Sequence, residues 1–283
     1  MMMFNKKEIR LFVLIFCGIL ITNNWALAQK VSIKNNLPST LIPYHGKCRI
    51  AISSDGNQHD HDDWGATSSF LAIIAAKGAQ AKLVHYDYCD HLGNNSISME
   101  KKETVSALEG ADRFGFNLSQ FFNDQSHLKR SIANLTKAIN KSTKEDPLIM
   151  LLAGPMEVPY RAIAAADKSK LKYVYCVSHS HWNNTHINPP EMTHTAKDIQ
   201  ALGVNWVQIT DQNGGFFTQK NHHNNWKVWN WMENSSNANY RWIYRRMRVE
   251  GKPDISDAGM AFYLFTGNQH GTARDLEKYL GSK

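Results

Sequence analysis

Nine residues of the chain, Asp55 to Asp63, carry four carboxylates (Asp55, Asp60, Asp62, Asp63) and two imidazoles (His59, His61). Like charges this close repel unless a cation or a basic group compensates them. Carboxylate oxygens are hard ligands that suit calcium or magnesium, whereas imidazoles suit zinc. A metal held there would acidify a bound water, and a neighbouring carboxylate could take its proton. Further oxygens are expected from other strand ends, with Ala153-Gly154 and Ser256-Asp257 as candidates.

The flanking residues say what positions this stretch. Ile50, Ala51 and Ile52 before it are apolar and β-prone, and an Ala-rich run from Ala66 to Ala76 after it has helical character. The order is strand, acidic loop, helix. In an open α/β sheet, the loop at the carboxyl end of a strand is where ligands bind. The helix start also favours the negative charge of Asp62 and Asp63. Apolar runs at 48–54, 81–88, 147–153, 172–178 and 204–209 read as strands. Pro147 to Ala153 is continuously apolar, as in a strand buried on both faces. Helical patterns lie between them at 64–77, 99–112, 125–142, 158–166 and 195–202. This alternation predicts an α/β fold with a mostly parallel open sheet and helices on both faces.

The first 28 residues read as a signal peptide: Lys6, Lys7 and Arg10, then the apolar Leu11–Ile21, then Ala26-Leu27-Ala28. Residues 29–283 are then a single exported domain, periplasmic or secreted, with no membrane attachment after cleavage. Cys48, Cys89 and Cys176 remain and read as buried free thiols, with Cys48 and Cys89 the one disulfide pairing to check. The net charge of +7 falls to +5 without Lys6, Lys7, Glu8 and Arg10, and no nucleic-acid motif is present. Arg241, Arg245, Arg246 and Arg248 form a local basic cluster that could touch an anionic glycan, although a solvated helix face would look the same. Residues 211–240 are rich in Asn, Trp and His and suggest a lid or a sugar-facing excursion. There Trp226, Trp229 and Trp231 suit either sugar binding or a core. The oligomeric state is left open, a homo-oligomer included.

Three short segments carry a family resemblance. Ser54-Asp55-Gly56 followed by Asp62-Asp63 resembles the aspartate-rich first loop of the nucleoside hydrolases. Leu151-Leu152-Ala153-Gly154-Pro155-Met156 is similar to the family's strand ending in a Gly-Pro-Leu turn, and Ser256-Asp257-Ala258-Gly259-Met260-Ala261 resembles its His-Asp segment. The resemblance implies a nucleoside hydrolase-like fold and a calcium ion held by Asp55, Asp63, Asp257 and the carbonyl of Ala153. Asp55 would be the catalytic base and Asp62 would hold a sugar hydroxyl. His179, His181, Asn183 and Asn184 would line the substrate or protonate the leaving group. The substrate would be a small sugar-containing molecule or an oligosaccharide fragment. Two departures stand out: the gap between Asp55 and Asp62 is longer than usual, and Ser256 stands where many members have a histidine.

Two other readings compete. His59-x-His61-x-Asp63 fits the zinc-binding pattern of metallo-β-lactamase-like hydrolases, although Trp64 stands where they usually carry another histidine. The fold could also serve a non-catalytic glycan-binding protein.

Overall fold

The computed structural model describes residues 44, 46–57, 62–93, 96–214 and 225–281. They lie within one compact unit, Asn35–Lys283. The signal-peptide reading, His59, Asp60, His61, His222 and His223 fall outside the described residues.

Six strands form one sheet: β1 (Arg49–Ser54), β2 (Leu83–Tyr88), β3 (Phe121–Asn123), β4 (Leu148–Ala153), β5 (Val174–Ser178) and β6 (Asn205–Gln208). Every pairing is parallel, in the order β3-β2-β1-β4-β5-β6. The helices are α1 (Asp62–Ala76), α2 (Ile97–Phe114), α3 (Asp124–Asn140), α4 (Glu157–Ala164), α5 (His181–Thr185), α6 (Ala196–Ala201), α7 (Asn230–Glu233), α8 (Ala238–Glu250), α9 (Gly259–Thr266) and α10 (Ala273–Gly281). From β1 the chain runs outward through β2 and β3, then returns to β4 on β1's other side. The strand order therefore reverses between β1 and β4, which is where an open α/β sheet leaves a ligand crevice at its carboxyl edge.

Alternation within the strands builds two cores. Ile50, Ile52, Ile149, Leu151, Ala153 and Val177 face Phe70, Leu71, Ile243, Met260 and Leu264 of α1, α8 and α9. Ala51, Leu148, Met150, Leu152, Val174 and Cys176 face Leu135, Ile139, Ile163 and Ile199 of α3, α4 and α6. Both faces of β4 are thus covered, as its unbroken apolar run requires. Truncating Leu151 to Ala would cost on the order of 2–5 kcal/mol.

The structure adds one strand and bears on three readings that stood open. β3 is an additional strand; three residues are too few to show a period against the helices on either side. Cys48 and Cys89 are free and buried, as is Cys176. Cys48 precedes β1 and Cys89 follows β2, so in parallel neighbours they lie at opposite edges of the sheet, beyond disulfide reach. Of the tryptophans, Trp229 is core, fully buried with Nε1 donating to the Pro253 carbonyl, while the half-buried Trp226 packs under Arg248 and against Tyr244. The arginines are not one basic patch. Arg246 is buried on Ser106 and the Lys102 carbonyl, Arg241 binds the carbonyls of Ser235 and Ser236, and Arg248 lies over Trp226.

Candidate metal and substrate site

Asp55 is the first residue beyond β1 and is buried. Its carbonyl accepts from the Cys89 amide at 2.7 Å, and the Ser54 carbonyl accepts from the Asp90 amide at 3.2 Å. These bonds lace the ends of β1 and β2 together beyond the ladder, so Asp55 stands on fixed backbone. Gly56 follows at φ +80°, and a Cβ there would lie 2.6 Å from Glu103 Cγ, so only glycine suits both the conformation and the space. Trp64 Nε1 donates to the Gly56 carbonyl at 2.8 Å, and Asn57 exchanges two hydrogen bonds with the His91 backbone.

Asp62 and Asp63 open α1, whose first N–H groups and dipole favour negative charge. Asp63 is almost wholly buried, and among the described residues its Oδ1 has no hydrogen-bond partner. Burial pushes its carboxyl well above the usual range, and the charges of Asp55, Asp62 and Asp257 push it further. Asp257 lies in the 3-10 turn Ser256–Ala258, which packs against α1. Ala153 ends β4 and pairs with Ser54 on the last rung of the β1–β4 ladder.

The ends of β1 and β4, the start of α1 and the turn before α9 therefore meet at the switch point. Among the described residues, no three His, Cys, Asp or Glu side chains form a preassembled metal-binding group. The donor chemistry nevertheless suits a hard cation. It consists of oxygens, one of them an orphaned buried carboxylate oxygen, and among the described residues no lysine or arginine pairs with Asp63 or Asp257.

His179 follows β5 and is buried. Its Nε2 hydrogen-bonds Asp257 Oδ1 at 2.5 Å, while the Gln212 amide donates to its Nδ1 at 3.2 Å. Since Nδ1 accepts from Gln212, the ring's proton sits on Nε2 and is donated to Asp257. Both ring nitrogens are thus engaged, one with Asp257 and one with Gln212. Asn184 is also occupied: its Oδ1 accepts from Ser178 Oγ at 2.6 Å and its Nδ2 donates to Gln208 Oε1 at 2.8 Å, bracing β5 to β6. Asn183 is buried and His181 exposed at the start of α5. Beside them Trp182 is 37% exposed and stacks on His186 at 3.9 Å. Ser256 is buried, its hydroxyl 2.9 Å from Asn213 Oδ1 and 3.3 Å from Asp62 Oδ2.

A second group of acids, not apparent from the sequence, stands behind the first. Asp87 on β2, Asp90 just beyond it and Asp124 at the start of α3 are all buried. Ser53 Oγ lies 2.6 Å from Asp87 Oδ1 and 3.0 Å from Asp90 Oδ2, and His85 Nε2 lies 2.7 Å from Asp87 Oδ2. Burial, then the charges of Asp55 and Asp87, pushes Asp90 well above the usual carboxyl range. The available signal is an Asp inside an otherwise buried strand, Tyr86-Asp87-Tyr88, with another two residues past its end.

No protein-family model matches the chain. Among solved structures, a plant nucleoside hydrolase, the PpNRh1 enzyme, superposes with a TM-score of 0.50 at 14% identity, covering 78% of this chain and 79% of that one. The architecture is accordingly nucleoside hydrolase-like, an inference about fold alone. Uncharacterized protein P22 of Formosa agariphila is 34% identical over 268 residues, which cover 88% of this chain and 91% of that protein. At that identity, over nearly the whole of both proteins, this chain belongs to the family of P22.

Proposed function

We propose that the protein is an exported, calcium-dependent hydrolase of glycosyl bonds, acting on a small sugar-containing substrate or an oligosaccharide fragment. The observation that supports it is the meeting of Asp55, Asp63 and Asp257, from three separate elements, beside the Ala153 strand end at the β1–β4 switch point. Asp55, Asp63, Asp257 and the Ala153 carbonyl would hold the ion. When bound, calcium would lower the pKa of a coordinated water and orient sugar hydroxyls.

The chain's own groups supply the rest. Asp55, fixed by the laced ends of β1 and β2, is the base that accepts the water's proton. His179 holds Asp257 in one orientation, as partners behind a ligand do. Asp62 is half-buried at the helix start and is placed to accept from a sugar hydroxyl. Ser256 gives the leaving group only a weakly acidic hydroxyl, already held between Asn213 and Asp62. The favoured substrates are therefore those whose leaving group departs with little protonation. Screening purified protein against nucleosides and aryl glycosides of graded leaving-group acidity, with and without calcium, tests this. Calcium-dependent turnover that steepens with leaving-group acidity is expected, and no turnover on any substrate would contradict it.

A non-catalytic glycan-binding role is the second reading. It is favoured by Ser256 and by the exposed indole of Trp182, which offers a flat face to a sugar ring. Binding of oligosaccharides without turnover, weakened by Trp182→Ala, would support it.

A further inference from the structure

α3 turns Leu135 and Ile139 into the core, and its outer side is basic. Lys129, Lys137 and Lys141 recur at multiples of four residues, so they share one ridge, stepping about 12 Å and then about 6 Å along the helix axis. All three line an open groove of about 570 Å³. The apolar part of its lining is Ile132, Ala133 and Ala165, the last from just beyond α4. Two hydrogen bonds hold the end of α4 and the following chain against α3: Thr136 Oγ1 donates to the Ala162 carbonyl at 3.1 Å, and the Asp167 amide donates to Asn140 Oδ1 at 2.7 Å.

The 3-10 turn Lys168–Tyr173 then packs against α3 and brings Lys168, Lys170 and Lys172 to the same face. Of these six lysines, five are exposed and Lys170 is half-buried. The acids of the same two segments do little to neutralise them. Asp124 is buried, Asp146 pairs with Arg49 Nε at 2.7 Å, and Asp167 Oδ1 accepts from the Ser169 amide at 2.8 Å, which leaves Glu145. Among the described residues, the ion pairs use arginines and histidines and none of these lysines. Cations that are spread along the sequence from 129 to 172 are thus gathered by the fold onto one face.

We propose that this groove is a docking surface for an acidic polysaccharide, a linear glycan bearing carboxylate or sulfate groups. The lysines complement its charges, and the apolar lining suits the C–H faces of its rings. Single-stranded nucleic acid calls for aromatic platforms, and phosphate recognition favours arginine forks; the groove lining holds neither. A lipid surface is flat, and among the described residues none of the exposed large apolar side chains lies between 129 and 172. The acidic crevice at the carboxyl edge repels the same polymer, whereas the 168–173 turn stands at the amino edge, directly before β5. The groove therefore anchors the protein on a polyanion and leaves the crevice open, independently of the hydrolase reading.

The test is calorimetric titration of the full-length protein, in calcium-free buffer, with polygalacturonate, dextran sulfate and neutral dextran. Binding to at least one of the two acidic polymers, weakening as salt rises, and none to neutral dextran are expected. Lys129→Glu, Lys137→Glu and Lys141→Glu together should lower that affinity on the order of tenfold or more. Lys101→Glu, Lys227→Glu and Arg274→Glu together change the net charge equally but lie on other elements, and should stay within about threefold of wild type. All six positions are exposed, so both variants should keep the wild-type circular dichroism spectrum. Equal losses in the two variants would show that net charge, not the groove, binds the polymer, and would overturn the proposal. Binding to neither acidic polymer would overturn it too, as would tighter binding of duplex DNA than of either, which would assign the groove to nucleic acid.

Discussion

Glu157 and Asp63 each lie in the first turn of a helix that follows a central strand, and both are almost wholly buried, at 2% and 1% exposed. Their surroundings are opposite. Glu157 Oε1 accepts from Arg161 Nε at 2.7 Å, and Oε2 accepts from the amides of Thr193 and His194 at 2.8 and 3.0 Å and contacts His194 Nδ1 at 2.9 Å. Burial works against its charge, but these donors outweigh it and hold Glu157 below the ordinary value of 4.5. Asp63 has an oxygen with no donor among the described residues and faces three more carboxylates, and its carboxyl is pushed the other way. A buried carboxylate saturated by its own protein is a structural clamp, here tying the 193–195 segment to α4. One left unsaturated among like charges marks a place where a ligand is expected.

The largest effect should come from the unsaturated region. Asp55→Asn keeps the shape but removes the charge and the proton acceptor, so activity should fall on the order of 10²–10⁴-fold with the circular dichroism spectrum unchanged. Asp257→Asn should act through the metal, so excess calcium should restore part of its activity while leaving Asp55→Asn inactive.

Stability should separate the two carboxylates next. In metal-free protein Asp63→Asn relieves repulsion and should raise the melting temperature. Glu157→Gln strips several charge-assisted bonds and should cost about 1.5–3 kcal/mol in denaturant unfolding. The pH dependence follows from the depressed value in the fold. The contribution of Glu157 is fully present above 4.5 and is lost as pH falls through its lower folded value. The gap in stability between wild type and Glu157→Gln should therefore close on acidification. A gap independent of pH would show that the clamp is not electrostatic.

The smallest effects should be those of His59→Ala and His61→Ala, which under the calcium reading lie outside the ligand set and should change activity by less than about tenfold. Abolished activity, with zinc present in the purified protein, would turn the assignment to His59-x-His61-x-Asp63.

The satisfied and unsatisfied regions are unequally visible in the sequence. Periodicity alone locates β1, β4 and the acidic loop between β1 and α1. An apolar run buried on both faces marks a central strand, and clustered Asp residues directly after such a strand must lie at its carboxyl end. The ordering of the strands, and with it the switch point, follows from long-range pairing that no local pattern contains. His179 reads as a substrate contact through the family resemblance of its segment, and its partners Asp257 and Gln212, from distant segments, are not visible locally. Asp90 is inconspicuous for the same reason. Its partner Ser53 belongs to another strand. Glu157 resembles an ordinary helix-start acid until Thr193 and His194 fold onto it.

Calorimetric titration of calcium into the metal-stripped full-length protein tests the central claim most directly. One calcium bound per chain, with binding abolished or greatly weakened in Asp63→Asn and retained in Glu157→Gln, is the expected result. Absence of calcium binding in the wild type, or binding that survives Asp63→Asn unchanged, would contradict it.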